Sequence, residues 1–313
     1  MGVFDDIQAG LGKGFDAAMD AAGKGFDAAA SATNKALVTR APFIQAFIHL
    51  CDDGWLQGWH ERNGGNLTYR MTEEDVAKVR GGFDSAPREW VDLGFSEPTL
   101  ANAYFLITGS GAYMHNVSAS PIENIGIVEM NEAGSAYRVV WGLVNRKPTS
   151  ELPTHIMNHA IRMKATGGAC RVIYHAHPNN IIAMTFVEPL DARTFSRALW
   201  KAMTECVVVF PEGVGVVPWM VPGGNEIAKA TSEQMKSYPA VIWAQHGLFV
   251  SGADFDETFG LMHCIEKAAD IYFRARTMNG GSNEFLNTIT DEGLAQIGVE
   301  FNVEINKEFL DVQ

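Results

Sequence analysis

The sequence has little cysteine and few cationic residues. Its four cysteines lie far apart and include no Cys-x-x-Cys pair, so the chain offers neither a disulfide framework nor a structural zinc site made of thiolates. This usage is typical of a protein in a reducing cytoplasm. Lysine and arginine number 24 against 37 aspartates and glutamates, which gives a formal net charge of −13. That charge opposes binding to nucleic acid and to anionic lipid, so we expect neither as a partner.

Long apolar runs are missing as well. Asp5 and Asp6 occupy the place where a signal peptide needs positive charge followed by an apolar core. No stretch reaches the roughly 18 uninterrupted apolar residues of a membrane span. We therefore expect a cytoplasmic protein that is neither secreted by this route nor inserted in a membrane.

The chain does have enough apolar content for a large core. It has 313 residues, of which 47% are hydrophobic and 19% charged, as in folded globular proteins. Because α/β enzymes of roughly 250 residues often form one unit around one sheet, length alone does not require two domains. We expect an extension with its linker over residues 1–40 and one catalytic domain over residues 41–313.

The extension contains three consecutive copies of an 11-residue repeat, marked by Phe4, Phe15 and Phe26. This spacing is close to three helical turns and predicts an amphipathic helix with one apolar stripe. One interpretation is a helix packed on its own domain, or a disordered tail. The other is a docking segment, because the pattern resembles N-terminal peptides that load enzymes into bacterial microcompartments. On that interpretation residues 1–30 bind a shell or partner protein.

From Arg40 onward, helical patterns alternate with short β-branched or aromatic runs bounded by turn residues. The strand-like runs are YFLITGSGAYM, NIGIVEM, YRVVWGLV, CRVIYHAH and AVIWAQHGLFV. The helical patterns cover about 43–60, 151–166, 192–203, 224–236 and 256–278. The alternation predicts an α/β fold, with a sheet of several strands covered by helices.

Histidines at strand ends predict a metal site. His175 and His177 follow the run that starts at Cys170, and a spacing of two points both imidazoles to one face of a strand. Such a pair supplies two of the three protein ligands of an open catalytic zinc site. His246 is the best third ligand, because Gly247 beside it allows the backbone to approach closely.

Glu151 admits two interpretations. It lies at the start of a helix after Thr149 and Ser150, where a hydroxyl cap and an acidic first turn stabilise a helix without any catalysis. The same helix start is suited to holding a phosphate, with Glu151 beside it as a base. Glu151, His155 and His159 also share one helix face, and we rank this trio as the second candidate metal site.

Two small polar loops are rich in free N–H groups. They are NGGN, from Asn63 to Asn66, and TGSG, from Thr108 to Gly111. Loops of this kind bind phosphate without a lysine, although each alone is also an ordinary turn. Neither has the lysine spacing of a Walker motif.

Together these motifs resemble the class II sugar-phosphate aldolases over about residues 41–280. The matching segments are ERNGGNLT at 61–68, TGSG at 108–111, PTSELP at 148–153, HAH at 175–177, TECVVVFPEGVGVVPWMVPG at 204–223 and HG at 246–247. The resemblance implies a three-layer α/β/α fold with a mixed, mostly antiparallel central sheet. It also implies assembly as a homotetramer with four-fold symmetry.

The resemblance also implies a role for each matching residue. His175, His177 and His246 would hold Zn²⁺, and Glu151 would be the acid/base. Glu205 resembles a glutamate that reaches the site of an adjacent subunit. The residues implied to bind the substrate phosphate and its neighbours are Asn63, Asn66, Ser110, Gly111, Thr149 and Ser150.

The implied reaction is zinc-dependent, reversible retro-aldol cleavage. ERNGGN and PWMVPG are similar to the rhamnulose branch of the family, whose substrate is L-rhamnulose 1-phosphate and whose products are dihydroxyacetone phosphate and L-lactaldehyde. Cleavage of fuculose 1-phosphate or epimerisation of a pentulose phosphate on the same site are the alternatives. From another class, the chain is a scaffold or cargo-binding module whose site has lapsed, although the intact histidines and Glu151 argue against this.

Overall fold

A nine-stranded mixed sheet forms the centre of the protein. The structure is a computed structural model that describes residues 37–311, so the predicted N-terminal amphipathic helix lies outside the described residues. The strands are β1 (Asn66–Arg70), β2 (Val91–Asp92), β3 (Tyr104–Thr108), β4 (Ile125–Met130), β5 (Ala136–Gly142), β6 (Val172–Ala176), β7 (Gly215–Val217), β8 (Ala240–Trp243) and β9 (Gly247–Gly252). They pair in the order β2-β5-β4-β3-β1-β6-β9-β8-β7. Only β7 and β8 pair in parallel, so the prediction of a mostly antiparallel sheet is confirmed.

Helices cover the sheet. They are α1 (Pro42–Leu56), α2 (Glu73–Val79), α3 (Pro121–Asn124), α4 (Leu152–Ala165), α5 (Asn179–Met184), α6 (Ala192–Ala202), α7 (Glu205–Val209), α8 (Asn225–Gln234), α9 (Phe255–Met278) and α10 (Asp291–Glu300). Among them, none is long and apolar enough to cross a membrane.

Side chains that alternate along each strand divide the core into two sides. On β3, Leu106 packs into the larger core, whereas Phe105 and Ile107 pack into a second cluster on the opposite face. Helices α1, α6, α7 and α9 bury their apolar faces in the larger core. Helix α4 covers the other face through Ile156, and α8 does so through Ile227. The predicted three-layer α/β/α arrangement is therefore confirmed.

The structure differs from the sequence pattern at two element boundaries that concern the site. The run AVIWAQHGLFV is not one strand but the hairpin of β8 and β9, whose turn is residues 244–246. The helix expected at 151–166 is α4, and Glu151 is its N-cap residue without capping it through its side chain. The carboxylate of Glu151 is thereby left available for other contacts.

Candidate active site

Three adjacent central strands, β1, β6 and β9, bring distant parts of the sequence to one edge of the sheet. Asn66 at the start of β1 pairs with His175 near the end of β6, and His175 pairs in turn with Phe249 of β9. Antiparallel pairing therefore places the end of NGGN, the HAH motif and the β8–β9 turn side by side. A Cβ atom on Gly247 would lie 2.5 Å from the carbonyl oxygen of Ala176, so this close approach requires glycine, as the sequence predicts.

The three predicted histidine ligands form one cluster. His175, His177 and His246 each offer a ring nitrogen, and these atoms lie within 4.8 Å of one another. Within residues 37–311 they are the one such group of three or more histidine, cysteine or acidic residues. Burial lowers the pKa of His246 to about 4, with help from His177, and holds the pKa of His175 well below its ordinary value. His175 and His246 are thus neutral imidazoles at pH 7, the form that binds metals.

The hydrogen bonds of His175 and His177 fix which ring nitrogen carries the proton. His175 Nδ1 donates to the carbonyl oxygen of Leu248 at 3.1 Å, and His177 Nδ1 donates to Glu61 Oε1 at 2.6 Å. Both partners only accept, so when the two rings are neutral both Nε2 atoms present lone pairs. These two Nε2 atoms face each other 3.3 Å apart. Two facing lone pairs repel unless a cation lies beside both.

That spacing suits a tetrahedral metal ion. Two nitrogen ligands about 2.05 Å from a tetrahedral zinc ion lie about 3.3 Å apart. A carboxylate that accepts the second N–H of a ligating histidine is the usual arrangement around zinc. Glu61 is therefore a candidate site residue that sequence reasoning missed, although it lies in the ERNGGN motif. The histidine set fits a metal ion, and its chemistry does not by itself identify which one.

Glu151 lies beside this cluster. Its side chain is 10% exposed, and Oε2 is 3.7 Å from His175 Nε2. Burial raises the pKa of Glu151 to about 7, and the Asn66 Nδ2–H bond to Oε2, at 2.8 Å, opposes that shift. A carboxyl with a pKa near neutrality both accepts and donates a proton readily at physiological pH. Glu151 makes no side-chain cap for α4, whereas the Thr149 hydroxyl accepts the backbone N–H of Glu151 at 3.3 Å, so the hydroxyl part of the capping interpretation has a contact in the structure.

A polar cleft of about 170 Å³ opens next to Glu151 and the histidines. Every predicted phosphate-binding residue lines it: Asn63, Asn66, Ser110, Gly111, Thr149 and Ser150. Arg146 Nη1 donates to the carbonyl oxygen of Ser110, at 3.3 Å, and so places a guanidinium beside the TGSG loop. The cleft combines hydroxyls, loop amides and one nearby cation, which is a suitable lining for a phosphate group.

His60 contacts the NGGN loop and fixes its position through a hydrogen bond. It is almost fully buried, its Nδ1 donates to the carbonyl oxygen of Gly64 at 3.0 Å, and the Tyr174 hydroxyl donates to its Nε2 at 2.6 Å. Gly65 has a positive φ of 75°, and a Cβ there would meet the His60 ring. His60, for which the sequence indicated no role, therefore sets the path of the loop that lines the cleft.

Three other predicted residues have different surroundings. Glu205 is exposed at the first position of α7 and does not line this cleft, so its predicted reach into an adjacent subunit stays a prediction. His155 and His159 are fully buried and both bond to Thr68, at 2.7 and 2.8 Å. Since they turn to Thr68, they do not converge with Glu151 on a common point as the second candidate metal site required.

Comparisons with known proteins agree with this geometry. The sequence model of the "Class II Aldolase and Adducin N-terminal domain" family matches residues 45–273. Rhamnulose-1-phosphate aldolases from Shigella sonnei (strain Ss046) and Escherichia coli O7:K1 are each 45% identical over 267 residues, which are 85% of this chain and 96% of theirs.

Solved structures show the same fold. A sugar-phosphate aldolase from Thermotoga maritima superposes with a TM-score of 0.63 at 28% identity, over 76% of this chain and 95% of that one. An L-fuculose 1-phosphate aldolase superposes with a TM-score of 0.54 at 21% identity, over 84% of this chain and 97% of that one, and this second likeness concerns the fold alone.

Proposed function

We propose that this chain, which belongs to the class II aldolase and adducin N-terminal domain family, cleaves L-rhamnulose 1-phosphate reversibly. The products are dihydroxyacetone phosphate and L-lactaldehyde. The observation that carries the proposal is the arrangement of three converging imidazoles and the buried Glu151 beside one phosphate-sized cleft. The 45% identity to rhamnulose-1-phosphate aldolases over nearly their whole length supports this choice of substrate.

We assign the metal ligands to His175, His177 and His246, and the metal to Zn²⁺. Imidazole ligands with an open position suit zinc. When bound there, zinc would supply an electrophile that stabilises the negative charge left on the dihydroxyacetone phosphate half when the C3–C4 bond breaks. No lysine Schiff base is needed for such a reaction.

Glu151 carries the proton in this proposal. Retro-aldol cleavage moves one proton, in net terms, from the C4 hydroxyl oxygen to C3, while the C3–C4 bonding pair stays on C3. A carboxyl with a pKa of about 7, held 3.7 Å from His175, is placed to deliver that proton to C3 and to remove it in the synthetic direction.

The polar cleft would hold the phosphate ester. Ser110, Thr149 and Ser150 offer hydroxyls, and Gly65 and Gly111 line the cleft beside them. With a protein charge of −13, this local lining rather than the overall field must attract the substrate. Glu151 and His246 line the same cleft, so a sugar held there by its phosphate would lie beside both.

The active form in this proposal is a cytoplasmic homotetramer in which Glu205 acts in an adjacent subunit. In its support, Trp219 and Val221 of the PWMVPG segment are 62% and 71% exposed, an unusual environment for two large apolar side chains unless another chain covers them. Residues 1–40 are the proposed extension and linker, of which Val38 packs in the larger core, and residues 1–30 are the proposed contact with a microcompartment shell or partner protein.

The test of the proposal is substrate choice. We expect zinc-loaded protein to release dihydroxyacetone phosphate from L-rhamnulose 1-phosphate faster than from L-fuculose 1-phosphate, as measured by coupled reduction of the product. Preference for the fuculose ester would replace the substrate but keep the reaction. No cleavage of either ester would contradict the aldolase proposal, and epimerisation of a pentulose phosphate would then be assayed.

A further inference from the structure

A row of buried polar side chains, joined by hydrogen bonds, leads from Glu151 through Asn66, His155 and Thr68 to His159. Asn66 Nδ2 lies 2.8 Å from Glu151 Oε2, and Asn66 Oδ1 contacts His155 Nε2. His155 Nδ1 lies 2.7 Å from Thr68 Oγ1, which in turn lies 2.8 Å from His159 Nε2. Thr68, His155 and His159 have no exposed surface. The row therefore links Glu151 to two histidines that the proposed reaction does not use.

The chemistry of each group fixes the direction of every hydrogen bond in the row. The ionised Glu151 carboxylate only accepts, so with it the Asn66 amide nitrogen must face Glu151 and the amide oxygen must face His155. An amide oxygen only accepts, so His155 carries its proton on Nε2 and Nδ1 accepts from the Thr68 hydroxyl. The Thr68 oxygen then accepts from His159 Nε2–H. Each group donates toward the Glu151 end of the row.

This assignment requires neutral rings, and burial makes them neutral. Desolvation lowers the pKa of His155 to about 3 and holds that of His159 well below its ordinary value. A neutral imidazole has one donor and one acceptor nitrogen, so the proton on one nitrogen decides the role of the other. His159 Nδ1 is buried without a partner, so the row ends there.

We propose that His155 and Thr68 are positioning residues, which hold the Asn66 amide with its nitrogen toward Glu151. If the amide turned over, its oxygen would face the carboxylate and repel it, and the carboxylate would lose its only side-chain donor among the described residues. The row thereby holds Glu151 in one orientation beside the cleft. The inference deepens the proposed function and rests on it wherever catalysis is the readout.

Two substitutions of His155 separate positioning from packing. The amide nitrogen of a glutamine takes the place of Nε2, so His155→Gln keeps the donor to Asn66. The shorter asparagine takes the place of Nδ1, so His155→Asn keeps the contact to Thr68 and removes that donor. Thr68→Val removes the hydroxyl at nearly constant volume. Thr258→Val is the matched control, because Thr258 is also buried but bonds the Asp254 carbonyl at the start of α9.

The first readout is kinetic. For His155→Asn and Thr68→Val we expect kcat to fall about tenfold to hundredfold, with KM and zinc content within twofold of the parent, because Glu151 is misplaced while the cleft is intact. Exchange of solvent deuterium into dihydroxyacetone phosphate should slow by the same factor. We expect His155→Gln and Thr258→Val to stay within threefold of the parent. An equal fall in kcat for His155→Gln and His155→Asn, or an unchanged kcat for His155→Asn, would overturn the proposal.

The second readout needs no substrate. Nitrogen-15 shifts of the histidine rings in the whole protein report which nitrogen carries the proton, and we expect His155 and His159 in the Nε2–H form between pH 6 and 8. A His155 ring in the Nδ1–H form would overturn the inference even in an active enzyme. If the parent protein cleaves neither sugar phosphate but His155 is in the Nε2–H form, the proposed function fails while the orientation of the row stands.

Discussion

The contact between Glu61 and His177 makes a quantitative prediction about metal affinity. Glu61 Oε1 accepts the Nδ1 proton of His177 at 2.6 Å and so directs Nε2 of that ring toward the cluster. The side chain is 66% exposed, so the direct charge attraction is screened by water and adds little. What Glu61 contributes is the ring orientation and a more basic Nε2.

The size of the effect follows from that role. Loss of such a partner typically lowers metal affinity 10- to 100-fold, which is about 1.4–2.7 kcal/mol. We expect Glu61→Ala to lower the metal affinity by an amount near the upper end of this range. Glu61→Gln should lie near the lower end, because its amide oxygen still accepts the Nδ1 proton but carries no charge. Glu74→Gln is the control, since Glu74 is an exposed glutamate paired with Lys78.

The assay is competition for zinc with a chelator of known affinity, followed optically in the absence of substrate. The expected order of zinc dissociation constants is parent equal to Glu74→Gln, then Glu61→Gln, then Glu61→Ala. A Glu61→Ala protein that binds zinc as tightly as the parent would refute the assignment of Glu61. Weakened binding in Glu74→Gln would show that the effect comes from the overall charge.

Three further predictions concern activity and stability. Glu151→Gln should keep zinc bound but lower kcat about 10²- to 10⁴-fold, because the proton carrier is lost, and near-parental turnover would remove Glu151 from the mechanism. The native pKa of His60 is about 4 and that of His155 about 3, both below the ordinary 6.5, so stability is full above pH 6.5 and falls on acidification by up to about 1.4 kcal/mol per pH unit for each. Urea unfolding from pH 7 to 4.5 measures that slope, and His155→Gln should flatten it. Deletion of residues 1–40 should leave kcat unchanged, and loss of assembly on gel filtration would instead make them structural.

The sequence predicts the metal cluster well because its signals are local. The period of two in a strand places His175 and His177 on one side, and a glycine after His246 allows the strands to approach. The same local rules predict the longer helices and a sheet covered by them, whereas the mostly antiparallel pairing is expected only from the resemblance to the class II aldolases. The local rules fail at the β8–β9 hairpin because its turn contains no glycine, asparagine or proline, and the left-handed residue is Gln245, with φ of 55°.

Contacts between distant residues are not predictable in this way. Glu61 and His177 are 116 positions apart, and Thr68 and His155 are 87 apart. A helical face that contains Glu151, His155 and His159 suggests a shared metal, yet both rings bond to side chains of β1 instead. That outcome depends on β1 lying above α4, which only the assembled sheet determines.

The catalytic metal site is tested most directly by assaying one preparation three times for release of dihydroxyacetone phosphate from L-rhamnulose 1-phosphate. The three assays use the protein as purified, after chelation and after zinc is returned. With zinc bound by the three histidines, we expect rapid release, loss of nearly all of it on chelation, and recovery with about one zinc ion per chain. Cleavage that persists in fully chelated protein would contradict the assignment of His175, His177 and His246 as the catalytic metal site.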